Sequence, residues 1–445
     1  MHGFPRPILP ALLVLALVPA VGAQDSPPAE EPKVGSPGAS QAPAEGDRLA
    51  ELERRIDLLA AELEKTRTGG AAETESGAGA QGLAPAASKV YRTARGVSIG
   101  GYGEVLYENY QAKKQDGTPS GRTDQTDFLR GIVYVGYKFS DRILFNSELE
   151  FEHASTGKGG EVSVEFGYLE MKPWKGLGFR AGMLLVPVGF LNELHEPPVF
   201  HGARRPDVES AIVPSTWREN GAGLFGEAGP VSFRAYLVSG LSSSGFSAAG
   251  IRGGRQSGAR SKSEDFAVTG RVDWSGPRGL LLGVSFFSGG SGQGATVGET
   301  EIGGRVTLLE SHLQYQWRGL EIRALGARSS LADAALINAK NSLAGAKSVG
   351  EAQYGYYLQA AYDLMSLRPS GQWSVTPFVR YEKLDTQDGV PAGFQKDPAS
   401  TRTLVTAGLG VRPLPQVVLK ADYQRMRNQA RTGVSQFNLA VGYLF

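Results

Sequence analysis

From Val97 to Phe445, apolar and polar side chains alternate with a period of two, in segments separated by clusters of glycine, proline, serine and aspartate. The stretch Arg142 to His153 is the clearest. Ile143, Phe145, Leu149 and Phe151 fall on one face, and Arg142, Asn146, Glu148, Glu150 and Glu152 on the other. A strand with one apolar and one polar face reads this way. Glu161 to Lys172 sets Val162, Val164, Phe166 and Tyr168 against Glu161, Ser163 and Glu165. Similar segments run over 97–110, 128–139, 177–186, 217–227, 231–240, 265–274, 280–287, 301–317, 320–329, 353–364, 373–384, 402–412, 416–426 and 434–445. The pattern predicts an all-β chain of about 16 antiparallel strands, an even number that can close into a transmembrane β-barrel.

The connectors sharpen this. Ser140-Asp141, Trp174-Lys175-Gly176, Ala228-Gly229-Pro230, 275–279, Arg318-Gly319, 367–372 and Pro413-Leu414-Pro415 are short. Between them lie long ones, among them 111–125, 187–216, 241–264, 331–352 and 385–400. Short periplasmic turns alternating with long extracellular loops are the mark of an outer-membrane barrel. The final segment alternates Phe437, Leu439, Val441, Tyr443 and Phe445 with smaller or polar residues. As a closing strand it is expected to bring Phe445 beside the first strand, near Val97.

Composition fits. Hydrophobic residues make up 41% and mean hydropathy is −0.21, and no apolar run reaches the roughly 18 residues of a spanning helix. A barrel whose every second residue faces water gives the same average. Cys is 0, which excludes disulfides, thiolate metal sites and a Cys nucleophile. Met1 to Ala23 reads as a signal peptide: Arg6, an apolar core from Ile8 to Val18, and Val21-Gly22-Ala23 before a cut ahead of Gln24. Without Arg6 the chain has 45 basic and 45 acidic side chains, a balance that argues against a nucleic-acid partner. Residues 24–46 read as a disordered linker. In 47–67, Leu49, Leu52, Ile56, Leu59 and Leu63 form the seam of a short periplasmic α-helical coiled coil. A second linker spans 68–96, and the barrel 97–445.

Candidate chemistry concentrates in the connector 187–216. Its prolines, aromatics and cations suggest a loop folded into the lumen, with His195, His201, Arg204, Arg205 and the following Arg218 forming a constriction. Alternation assigns Arg130, Lys138, Arg180, Arg234, Arg271, Arg323, Arg380 and Arg402 to the lumen, together with Glu104, Glu148, Glu150, Glu152, Glu161 and Glu165. A basic wall facing an acidic wall would set up a transverse field, as in general diffusion pores. An arginine ladder would instead favour oxyanions. Arg252, Arg255, Arg260 and Lys262 form an outer-loop cluster that would funnel anions or contact lipopolysaccharide. His153-Ala154-Ser155 is a weak hint of a barrel phospholipase, better explained as a strand end. His195 and His201 with Glu193 or Glu196 lack further ligand spacing for a metal. No catalytic residue, metal or cofactor is expected.

Gly101-Tyr102-Gly103-Glu104, Asn192-Glu193-Leu194-His195, Arg205-Pro206 and Pro214-Ser215-Thr216-Trp217 carry a resemblance. With the coiled coil and the terminal aromatic, 97–445 resembles the phosphate-selective porin (O/P) family of Gram-negative outer membranes. The resemblance implies a homotrimer of 16-stranded barrels, an arginine ladder and lysine cluster in phosphate-selective members, and Tyr443 and Phe445 as a signal for the barrel assembly machinery. The expected function is passive diffusion of small hydrophilic solutes, with anion or phosphate preference as the finer expectation. The alternatives are a barrel anchor that tethers the outer membrane to a periplasmic layer through the coiled coil, and a soluble secreted β-protein.

Overall fold

The computed structural model describes Arg55 and residues 82–154, 159–367 and 372–445. The signal peptide, the linker 24–46 and, apart from Arg55, the expected coiled coil lie outside the described residues. Sixteen strands close into one antiparallel barrel in chain order, the first pairing with the last. They are β1 Gly96–Tyr110, β2 Gln125–Ser140, β3 Ile143–Glu152, β4 Val162–Trp174, β5 Leu177–Leu185, β6 Arg218–Ala228, β7 Val231–Ser239, β8 Phe266–Trp274, β9 Leu280–Gly289, β10 Val306–Trp317, β11 Leu320–Leu331, β12 Ala352–Tyr362, β13 Ser374–Gly389, β14 Thr401–Leu414, β15 Val417–Asn428 and β16 Gln436–Leu444. Each expected segment matches a strand, and short turns alternate with long loops around the ring. Two boundaries differ by about five residues, and one of them is the end of β13, which runs on to Gly389 beyond the expected Leu384. The segment expected from Glu301 begins at Val306, and Thr296–Val297 pairs with Thr300–Glu301 in a separate small hairpin.

Alternation places the two faces. In β16, Phe437, Leu439, Val441 and Tyr443 are exposed on the outside, while Gln436, Asn438 and Ala440 are buried inside. Trp174, Trp274, Trp317 and Trp373 are exposed at the turn end of the barrel, an aromatic girdle suited to a lipid–water interface. Strand β4 departs from strict alternation. Glu148 pairs with Phe166 and Leu149 with Val164, so Glu165 is an extra residue, a β-bulge. One inserted residue flips every side chain beyond it. Phe166 and Tyr168, expected on the outer face, are therefore buried inside, and Leu169 and Met171 face out.

The seam closes on Gly101, four residues further into β1 than the expected position near Val97. Phe445 and Gly101 exchange backbone hydrogen bonds of 2.9 and 3.0 Å. A Cβ on Gly101 would lie 2.6 Å from the Phe445 ring, and one on Gly103 would lie 2.5 Å from the Tyr443 ring. At Gly101 such a Cβ would also lie 2.3 Å from the Ile132 carbonyl oxygen, so a larger residue there would have to displace backbone as well as ring. The residues of β1 before Gly101 pair with β2 alone on their sheet edge, and Ala86 and Lys89 lie against Gly100.

Candidate functional site

The inward faces carry the charge. All eight expected bases point inward, but they do not form a free basic wall. Arg180 Nε donates to Glu170 at 2.8 Å, Arg271 Nε to Asp273 at 2.8 Å, and Arg380 Nε to Glu382 at 2.8 Å. Arg323 pairs with Glu321 at 2.8 Å, and Arg234 with Asp273 and Glu193 at 3.0 and 3.2 Å. Arg130 lies 3.5 Å from Glu104 and 3.8 Å from Glu150. Lys138 reaches Asp141, and Arg402 reaches Asp207. Several pairs are two residues apart on one strand, which places both side chains on the same face. The expected separation into basic and acidic walls is thus replaced by local pairing, and so is an unpaired arginine ladder. Of the expected acids, Glu104, Glu148, Glu150 and Glu165 are buried inside, Glu152 is half-buried, and Glu161 is exposed just ahead of β4.

The connector 186–217 between β5 and β6 crosses the lumen. Asn192 ties its two stems together. Its Nδ2 donates to the Val186 and Trp217 carbonyls at 2.6 and 2.8 Å, and its Oδ1 accepts from the Trp217 amide at 2.6 Å. The next residues each find a different partner. Glu193 bridges Arg234 and Arg271, Leu194 packs with Ala84 and Val199, and His195 Nε2 lies 3.0 Å from Glu148 Oε1. Farther along, the loop meets the opposite wall. His201 bonds Glu321 at 3.1 Å, and Ala203 N–H donates to Asp422 at 2.6 Å. Arg380 and Arg412 donate to the carbonyls of His201 and Pro198 at 3.0 and 2.6 Å, and Lys420 sits 3.6 Å above the Phe200 ring. Arg204 is half-exposed beside Glu108, and Arg205 donates to the His195 carbonyl at 3.3 Å. Arg218 is the first residue of β6 and donates to Glu165 at 2.9 Å. Burial holds the His195 imidazole down at about 3 and lowers His201.

A second body fills the turn end. Residues 82–92, expected to be linker, pack inside the barrel with Leu83, Ala84, Ala86, Ala87 and Val90 buried. Glu196 Oε1 accepts the backbone amides of Ala86 and Ala87, both at 2.9 Å. Asn146 Nδ2 donates to the Ala87 carbonyl at 3.0 Å, and Tyr91 OH donates to Glu170 at 2.8 Å. Burial pushes the Glu196 carboxyl up to about 8, against the pull of the two amides. Inward glycines make the room: a Cβ on Gly136 would lie 2.7 Å from Val90 Cγ2. These strand glycines, and the apolar Leu83, Val90 and Tyr91 within a small-residue stretch, are the signals that point to this segment.

No protein-family model matches the chain. An uncharacterized protein of Aquifex aeolicus (strain VF5) is 39% identical over 378 residues, 82% of this chain and 83% of the relative. The chain belongs to the family of that protein. Among solved structures, an anion-selective porin from Comamonas acidovorans is similar at a TM-score of 0.50 and 12% identity, over 78% of this chain and 99% of that one. A loop-deletion mutant of OmpT, an outer-membrane protein of Vibrio cholerae, has a TM-score of 0.50 at 11% identity, over 79% and 100%. OmpF of Salmonella typhi, in a complex with daunomycin, has 0.50 at 10%, over 79% and 98%. The barrel therefore has the fold of outer-membrane porins.

Within this family member, other candidate groupings do not assemble. His195 and His201 reach different walls, at Glu148 and Glu321. Glu193 is held by arginines and Glu196 by amides, so these four do not converge on a metal. His153 is exposed, has a positive φ of 52° and bonds Asp127 at 2.6 Å, as a strand end would, while Ser155 lies outside the described residues. Arg252 and Arg255 do not form an open anion funnel. They donate to the Ser210 and Ser215 carbonyls at 2.7 and 2.5 Å and so tie down the lumen loop, whereas Arg260 and Lys262 are exposed.

Proposed function

We propose that this chain is an outer-membrane channel through which small hydrophilic solutes diffuse passively. The observation that carries this reading is the closed 16-strand barrel with a charged inner face and an apolar outer face ringed by tryptophan. Such a wall suits lipid outside and water within. No bond is made or broken. The barrier is set by the loop 186–217 across the middle and by residues 82–92 at the turn end, which lies toward the periplasm. The anion or phosphate preference is the finer reading. The resemblance to the phosphate-selective porin family supports it, while the pairing of the eight strand bases with carboxylates favours weak selectivity. Homotrimer assembly is proposed on the same resemblance. Purified protein in planar bilayers tests the reading: discrete conductance steps are expected, and their absence at any voltage would overturn it.

A further inference from the structure

Where the lumen loop meets β3 and β4, three donor atoms face one another with nothing to separate them. His195 Nδ1 lies 3.0 Å from the Asn192 carbonyl oxygen, which can only accept, so in the neutral ring Nδ1 carries the proton. Nε2 then presents a lone pair to Glu148 Oε1 at 3.0 Å and to Glu165 Oε2 at 4.0 Å. Like-charged oxygens and a lone pair at such range repel unless a proton or a metal cation lies among them. One ligand atom from each of the three residues falls within 4.8 Å of the others, room for an ion about 2.0–2.2 Å from each.

Glu150, Arg130 and Arg205 also face this cluster, yet part of it is left without a hydrogen-bond partner. Glu148 and Glu165 are 0% and 1% exposed, and Oε2 of each has no hydrogen-bond partner. Arg218 satisfies only Oε1 of Glu165, and Arg130 is drawn to Glu104 and Glu150. The carbonyl at Nδ1 is the outer partner that a metal-bound imidazole commonly has, since it fixes the tautomer that frees Nε2. One imidazole and two carboxylates suit a divalent first-row transition ion.

We infer that Glu148, Glu165 and His195 bind one such divalent ion, which fastens the lumen loop to β3 and β4. This holds whether or not the barrel conducts, because the site needs only the folded chain.

The test uses the full chain in detergent, stripped with a chelator, exposed to Zn2+ and passed through a desalting column. The parent should retain one equivalent of zinc. His195→Gln and Glu148→Gln should each weaken retention by about tenfold or more, while His153→Ala, at the exposed His–Asp pair, should retain as much as the parent. A parent that retains no stoichiometric zinc would overturn the inference, meaning that protons alone neutralise the cluster. Equal retention by His195→Gln and Glu148→Gln would overturn it too. Should those variants fail to fold, X-ray absorption at the zinc edge of the parent decides, since one imidazole among oxygen ligands is required and a shell without imidazole would refute the site.

Discussion

Glu196→Ala isolates the role of residues 82–92. The carboxylate is fully buried and accepts the amides of Ala86 and Ala87, themselves 3% exposed. Truncation leaves two buried N–H groups without partners at about 1–3 kcal/mol each. Taken as about 3 kcal/mol in all, that shifts the balance between docked and undocked segment by ~100-fold, at ~1.4 kcal/mol per factor of ten. The barrel should survive, since its strand pairing does not involve Glu196, and heat-modifiable gel mobility checks this. In planar bilayers the variant should spend more time in its high-conductance state, approaching a chain that lacks residues 82–92. Parent, Glu196→Ala and the deletion sharing one conductance and one closure frequency would refute the reasoning, because the segment would then not lie in the path.

Gly136→Val should give the same opening from the opposite side, since even its Cβ would sit 2.7 Å from Val90 Cγ2; an unchanged conductance would count against a docked segment. Arg380→Ala removes the donor to Glu382 and to the His201 carbonyl, leaves a buried carboxylate unpaired at about 3–5 kcal/mol, and should lower thermal stability and loosen the loop; an unaltered melting transition would contradict this. In a salt gradient the reversal potential should stay near zero because most strand bases of the lumen are paired with carboxylates, and a strongly anion-selective value would refute the balance. Phe445→Ser should reduce the yield of inserted barrel more than the conductance of what inserts, as membrane fractionation followed by bilayer recording can measure.

The barrel was legible because two patterns survive averaging: the period of two, and the alternation of short and long connectors. The bulge at Glu165 was not, since one extra residue in β4 has no residue-type signature and the strand reads as unbroken. Alternation places most of the charged strand residues on the inner face, with Glu161 exposed ahead of β4, but it does not give their neighbours. Arg271 and Asp273, or Arg380 and Glu382, stand two apart and could have been read as pairs, whereas Arg234 with Glu193 depends on the path of the loop. The same holds for His195, whose partners Glu148 and Glu165 are brought to it by the fold, while its sequence neighbour His201 faces another wall. Residues 82–92 were hidden by composition: alanine and glycine resemble spacer until the inward glycines opposite them are noticed.

The two glycines beneath Tyr443 and Phe445 make closure of the ring self-checking. The outward positions of β1 run Ile99, Gly101, Gly103, Val105, and only the middle pair leaves open the space that the two rings occupy. A slip of one residue would turn the aromatic rings toward the lumen. A slip of two would set one ring against Ile99 or Val105 and leave one glycine bare. Only the native register seats both rings, so a misthreaded last strand is penalised at the seam itself, whatever the loops and lumen contacts do.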